Sequence, residues 1–102
     1  MPTKGVYTVL ELINLFIPIF ERYGVKKAVL FGSYAKGEAT AKSDIDILVD
    51  SGLRGLKFLG LADEMQTAAQ KDVELFDIRH IDQGSWIEQE IGSTGVLLFG
   101  QE

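Results

Sequence analysis

The sequence predicts an α+β domain, a small mixed β-sheet flanked by helices. Three observations predict it. Segments with helical spacing alternate with short apolar runs along the whole chain. The 102 residues suffice for a single domain spanning 1–102 and leave no room for two. Hydrophobic residues make up 46% and charged residues 25%, the balance of a chain with a core to bury rather than a disordered one.

Thr8-Val-Leu-Glu11 has the spacing of a capping box, with Thr8 as N-cap and Tyr7 and Leu12 at staple positions. A helix is expected from about 9 to 23, stopping at Gly24. Leu10, Ile13, Phe16 or Ile17 and Phe20 form one apolar stripe; Leu12, Leu15, Ile19 and Tyr23 form a second. A helix apolar on most of its circumference is either sandwiched in a core or covered by a partner. Pro18 inside it is expected to bend it or to free the carbonyl of Asn14. Lys27–Phe31 reads as a buried strand and 38–43 as a loop. Asp44–Val49 alternates as a second strand, and 55–70 carries Phe58, Leu61, Ala62, Met65 and Ala69 at helical spacing. Asp72–Ile78 is the third strand. A short helix is expected over 82–92, with Trp86, Ile87 and Ile91 in the core, a base-stacking platform at Trp86 being the less favoured alternative. Val96–Phe99 is a last, short edge strand, open to pairing with another copy or a partner. Tyr34 is expected to pack, and His80 to be a loop or cap residue.

Composition excludes whole classes of chemistry. Without cysteine there is no disulfide, thiolate zinc site, iron–sulfur cluster or cysteine nucleophile. A single histidine excludes His-rich metal sites. No apolar run is long enough to span a bilayer and no signal peptide is visible, so an intracellular, soluble, cytoplasmic protein is expected, with no membrane partner. Net charge is −5, unevenly spread: 72–102 hold seven acids against Arg79 alone. That end repels a nucleic-acid backbone, and no basic stripe offsets it, which argues against a long nucleic-acid substrate.

The informative residues are Leu30–Gly37 and the Asp44-Ile-Asp46 that follows. On a strand, Ile45, Ile47 and Val49 share one face and Asp44 and Asp46 the other. Two carboxylates ~6–7 Å apart repel unless a cation sits between them. Oxygen ligands alone suit Mg²⁺ or Mn²⁺, and such a pair can bridge two ions. If the third strand lies alongside with cores aligned, Glu74 joins Asp44 and Asp46, while Asp77 points the other way and reads as a solvated strand end. Gly32-Ser33 ends a strand and opens a helical turn, where free N–H groups suit a phosphate, or where Ser33 merely caps. Lys36 either pairs with phosphate oxygens or is solvated, and Gly37 is a positive-φ helix stop.

Together, Gly32-Ser33, Gly37 and Ser43-Asp44-Ile-Asp46 resemble the signature of the polymerase-beta-like nucleotidyltransferase superfamily, and the short chain resembles its minimal nucleotidyltransferase (MNT) family. The resemblance runs from the first helix to Gly95-Val-Leu-Leu-Phe99, with Lys36 where the signature usually has arginine and Glu74 where it more often has aspartate. It implies the nucleotidyltransferase fold and an enzyme transferring AMP from ATP to a hydroxyl. Gly32, Ser33 and Lys36 would bind the nucleotide; Asp44, Asp46 and Glu74 would be catalytic and hold two Mg²⁺. It implies further a HEPN-type toxin as partner, modified on a tyrosine by the MNT protein as its antitoxin. A non-catalytic, nucleotide-binding antitoxin acting by occlusion is the alternative. A small-molecule nucleotidyltransferase is a weaker third reading, because no acceptor-binding domain is present and only a homo-oligomer could build one.

Overall fold

A computed structural model describes residues 6–100; the outermost residues of the expected 1–102 domain lie outside the described residues. The elements come in the expected order: α1 Val9–Tyr23, β1 Lys27–Phe31, α2 Ser33–Lys36, β2 Ile45–Asp50, α3 Leu56–Ala69, β3 Val73–Asp77, α4 Trp86–Thr94 and β4 Val96–Phe99. A 3₁₀ turn, Ile78–His80, follows β3.

The four strands form one mixed sheet in the order β3-β2-β1-β4. β1 pairs antiparallel with both β2 and β4, although the β1–β2 connection is long enough to hold α2. The crossover through α3 makes β2 and β3 parallel, as a connection long enough to hold a helix permits. Their register sets Ile45 beside Val73 and Asp46 beside Glu74, so cores are aligned as the alternation requires.

One face of the sheet is the main core. Ala28, Leu30, Ile45, Ile47, Val49 and Val73 meet Leu12, Phe16, Ile19 and Phe20 of α1 and Leu61, Met65 and Ala69 of α3. Each large apolar side chain buried here stabilises the fold by ~1.5–3 kcal/mol. The opposite face carries Val29, Phe31, Asp46, Glu74 and Phe76. It is covered only in part, by α4, whose C-terminal end lies over Val29 and whose first residue touches Phe31.

The α1 capping box is complete. Glu11 N–H donates to Thr8 Oγ1 at 3.0 Å and Thr8 N–H to Glu11 Oε1 at 2.8 Å, and the helix stops at Gly24. Tyr7 donates its hydroxyl to Ala69 O at 2.6 Å, tying the entry of α1 to the end of α3. α1 runs through Pro18, which faces solvent. Of its apolar residues the line Leu12–Phe16–Ile19–Phe20 is fully buried, while Leu10 is 65% exposed. α1 and α3 are also clasped at the surface: Tyr23 donates to Glu64 Oε2 at 2.5 Å and Arg22 pairs with the same carboxylate.

Asp77 corrects an expectation. It does point to the helix face, away from Glu74, but it is 1% exposed rather than solvated. It accepts from Ser51 Oγ at 2.6 Å, from Arg79 N–H at 3.0 Å and from Arg79 Nε at 3.1 Å. Burial alone would raise its pKa. The hydrogen bonds from Ser51 and Arg79 and the guanidinium charge outweigh that and hold it below the usual carboxylate range.

Candidate functional site

The site is assembled on the sheet face that α4 leaves open. Register lines up Phe31, Asp46 and Glu74 across β1, β2 and β3, all on that face. β1 ends at Phe31, and Gly32 turns the chain into α2 with φ 76° and ψ −154°, a conformation that needs glycine. A second constraint acts at the same place: a Cβ on Gly32 would run into Asp46 Oδ2. The α1-side packing that fixes β1 and β2 thus presses the turn's backbone against the carboxylate of Asp46.

Gly32, not Ser33, is the N-cap of α2; Ser33 is its first helical residue, so its hydroxyl is not spent on capping. Gly37 stops α2 at φ 75°, as expected. Lys36 is exposed, and its Nζ pairs with Glu90 Oε1 of α4 at 3.4 Å. β2 begins one residue later than expected, and Asp44 stands exposed just before it, at the mouth of the site. Beside Asp44 opens a polar hollow of about 330 Å³ lined also by Lys42, Lys71 and Asp72.

The electrostatics are those of crowded acids. Burial first, then a side-chain hydrogen bond with Glu74, then the charges of Glu74, Asp44 and Glu90 push the Asp46 carboxyl up to about 7. Among the described residues no three acids already stand in metal-ligand geometry. The donor set nevertheless fits a hard divalent cation: oxygen ligands only, on a rigid strand pair, in a negative field that a cation would relieve.

Two residues depart from the sequence reading. Glu90 joins the site through Lys36 and Asp46; its signal in the sequence is its position one turn after Trp86 on the same side of α4. Trp86 was expected in the core and is 64% exposed, because α4 starts only there and the sheet below is already filled by Phe31 and Phe76. Of its expected companions, Ile87 is buried and Ile91 half-buried. Tyr34 is buried, as expected, and His80 sits exposed in the 3₁₀ turn.

The nucleotidyltransferase model of the polymerase beta type matches residues 14–102. The chain belongs to that family. Within the family, a protein of Methanocaldococcus jannaschii named as a protein adenylyltransferase is 38% identical over 73 residues, 70% of this chain and 78% of that protein. The protein adenylyltransferase MntA of Thermococcus cleftensis is 60% identical over 30 residues, a local match to 30% of its length. Among solved structures, a toxin–antitoxin structure with AMP-PNP superposes with a TM-score of 0.76 at 29% identity, over 88% of this chain and 74% of that one. A complex of tri-AMPylated Shewanella oneidensis HEPN toxin with MNT antitoxin gives 0.70 at 26%, over 92% and 74%. The nucleotidyltransferase fold is thus common to this chain and to MNT antitoxins.

Proposed function

We propose that this nucleotidyltransferase is a protein adenylyltransferase that moves AMP from ATP to a hydroxyl of a HEPN-type toxin, and so acts as that toxin's antitoxin. The observation that carries the reading is the row Phe31–Asp46–Glu74 with the Gly32 backbone closed against Asp46. It sets a glycine–serine turn able to take phosphate oxygens beside carboxylates able to take their counter-cations. Relatives named as adenylyltransferases, and solved toxin–antitoxin neighbours that include AMP-PNP or an AMPylated toxin, support the same reading.

In this proposal Gly32 N–H, Ser33 and Lys36 bind the β- and γ-phosphates, Lys36 exchanging Glu90 for phosphate oxygens. Asp44, Asp46 and Glu74 hold Mg²⁺, or Mn²⁺ in its place. Bound there, the ions would supply charge neutralisation on the triphosphate and acidify the attacking hydroxyl. The hydroxyl oxygen bonds to the α-phosphorus, the bond to the bridging oxygen of pyrophosphate breaks, and Glu74 is placed to take the hydroxyl proton. A cytoplasmic setting suits a reaction that consumes ATP, and among the described residues no helix is long and apolar enough to cross a membrane.

The test is incubation with α-labelled ATP, Mg²⁺ and the partner toxin. Label on the toxin, lost in Asp44→Ala/Asp46→Ala, is expected. Toxin neutralisation that survives the double change with no label transferred would replace catalysis by occlusion.

A further inference from the structure

An exposed tryptophan at the edge of this site calls for a reason. Trp86 is the only tryptophan in the chain and lies 64% open to solvent. Indole gains most by burial, and a large exposed ring beside a functional cleft is the residue type that interaction sites use. Its neighbours place it. The indole meets the Phe31 ring at 6.3 Å between centroids and 63° between planes, so the two rings are not stacked and indole surface stays open. Phe31 is in turn the strand partner of Asp46, one inter-strand spacing of ~4.8 Å away.

α4 adds a second link. Trp86 and Glu90 are four residues apart and therefore lie on one side of the helix. Glu90 reaches Lys36 and acts on Asp46, so that side of α4 borders the acid row. The open sheet face thus has a charged side, where Gly32, Asp46 and Glu74 meet and Glu90 brings Lys36 alongside, and an aromatic side, where Phe31 carries Trp86. A nucleoside triphosphate has the same two sides.

We propose that Trp86 is the platform on which the purine ring of the nucleotide stacks while the triphosphate occupies the acid row. The proposal rests on the nucleotide reading of the site and adds its base subsite. Stacking reads the breadth of the π-face rather than its hydrogen-bonding edge. ATP and GTP are therefore held alike, and CTP and UTP more weakly.

The emission of Trp86 reports the contact directly. AMP-PNP with Mg²⁺ is expected to quench it, whereas inorganic tripolyphosphate with Mg²⁺, which fills the charged side alone, binds without quenching. By calorimetry Trp86→Ala should raise the Kd for AMP-PNP about tenfold and leave that for tripolyphosphate unchanged, while Trp86→Phe should recover most of the affinity. AMP-PNP binding with unaltered emission and an unaltered Kd in Trp86→Ala overturns the platform but leaves the nucleotide site standing, and would turn Trp86 into a surface for the partner. A protein that binds neither AMP-PNP nor tripolyphosphate overturns both.

Discussion

At Asp46, burial and charge push the same way. Both favour the protonated form, and the carboxyl sits near 7 for want of a counter-charge. Asp46→Asn should therefore keep or raise the melting temperature in metal-free buffer while cutting AMP transfer at least 100-fold; a melting temperature that falls by 10 °C or more would make Asp46 a structural residue. Gly32 is constrained twice, by its φ of 76° and by the carboxylate it faces. Gly32→Ala should cost ~2 kcal/mol of stability in urea unfolding and weaken ATP binding together. Asp77 has the opposite balance, since its donors overcome its burial. With a folded pKa depressed below the unfolded ~3.9, it contributes its stability fully above that value and loses it as pH falls through the folded one. Asp77→Asn should be less stable than the parent by ~2 kcal/mol near pH 7. The gap should close as the pH drops below about 4, as melting temperatures followed from pH 7 to 2.5 will show.

Among the elements, α1 was legible to the residue because its signals are local: a capping box, a glycine stop and a stripe between them. Thr8→Ala should remove ~1 kcal/mol, which for a domain this size lowers the melting temperature by ~4–8 °C. α4 carries the same local signal. Ser85-Trp-Ile-Glu88 repeats the capping spacing, and Glu88 N–H donates to Ser85 Oγ at 3.3 Å. Reading that box would have started the helix at Trp86 instead of 82 and set Trp86 in its first turn, where the indole escapes burial. β3 was placed by alternation, but alternation gives direction without environment. That Asp77 points away from Glu74 followed from period two; that Ser51 and Arg79 wait for it there did not.

For the whole molecule, the reading turns on a partner. EDTA should stop AMP transfer to the toxin and lower the melting temperature of this chain by no more than a few degrees, the stabilisation a bound ion gives, since its core holds no acid of the site; added Mg²⁺ should restore both, and a fall of 10 °C or more would show the acids to be part of the scaffold. The sheet explains why a domain of this size can do so. One face carries the hydrophobic core between strands and α1 with α3, and the other, half-covered by α4, is left for chemistry.

By itself the sequence determined the elements, the faces of each strand and the residue types that can hold phosphate and cation, because periodicity, caps and turns act over a few neighbouring residues. Which side chains meet was decided by the tertiary structure. The parallel, in-register pairing of β2 and β3 brought Glu74 beside Asp46, and the return of α4 over β1 brought Glu90 to Lys36 and left Trp86 in the open. Those distances depend on how two layers pack across a shared core, and no short stretch of chain encodes that.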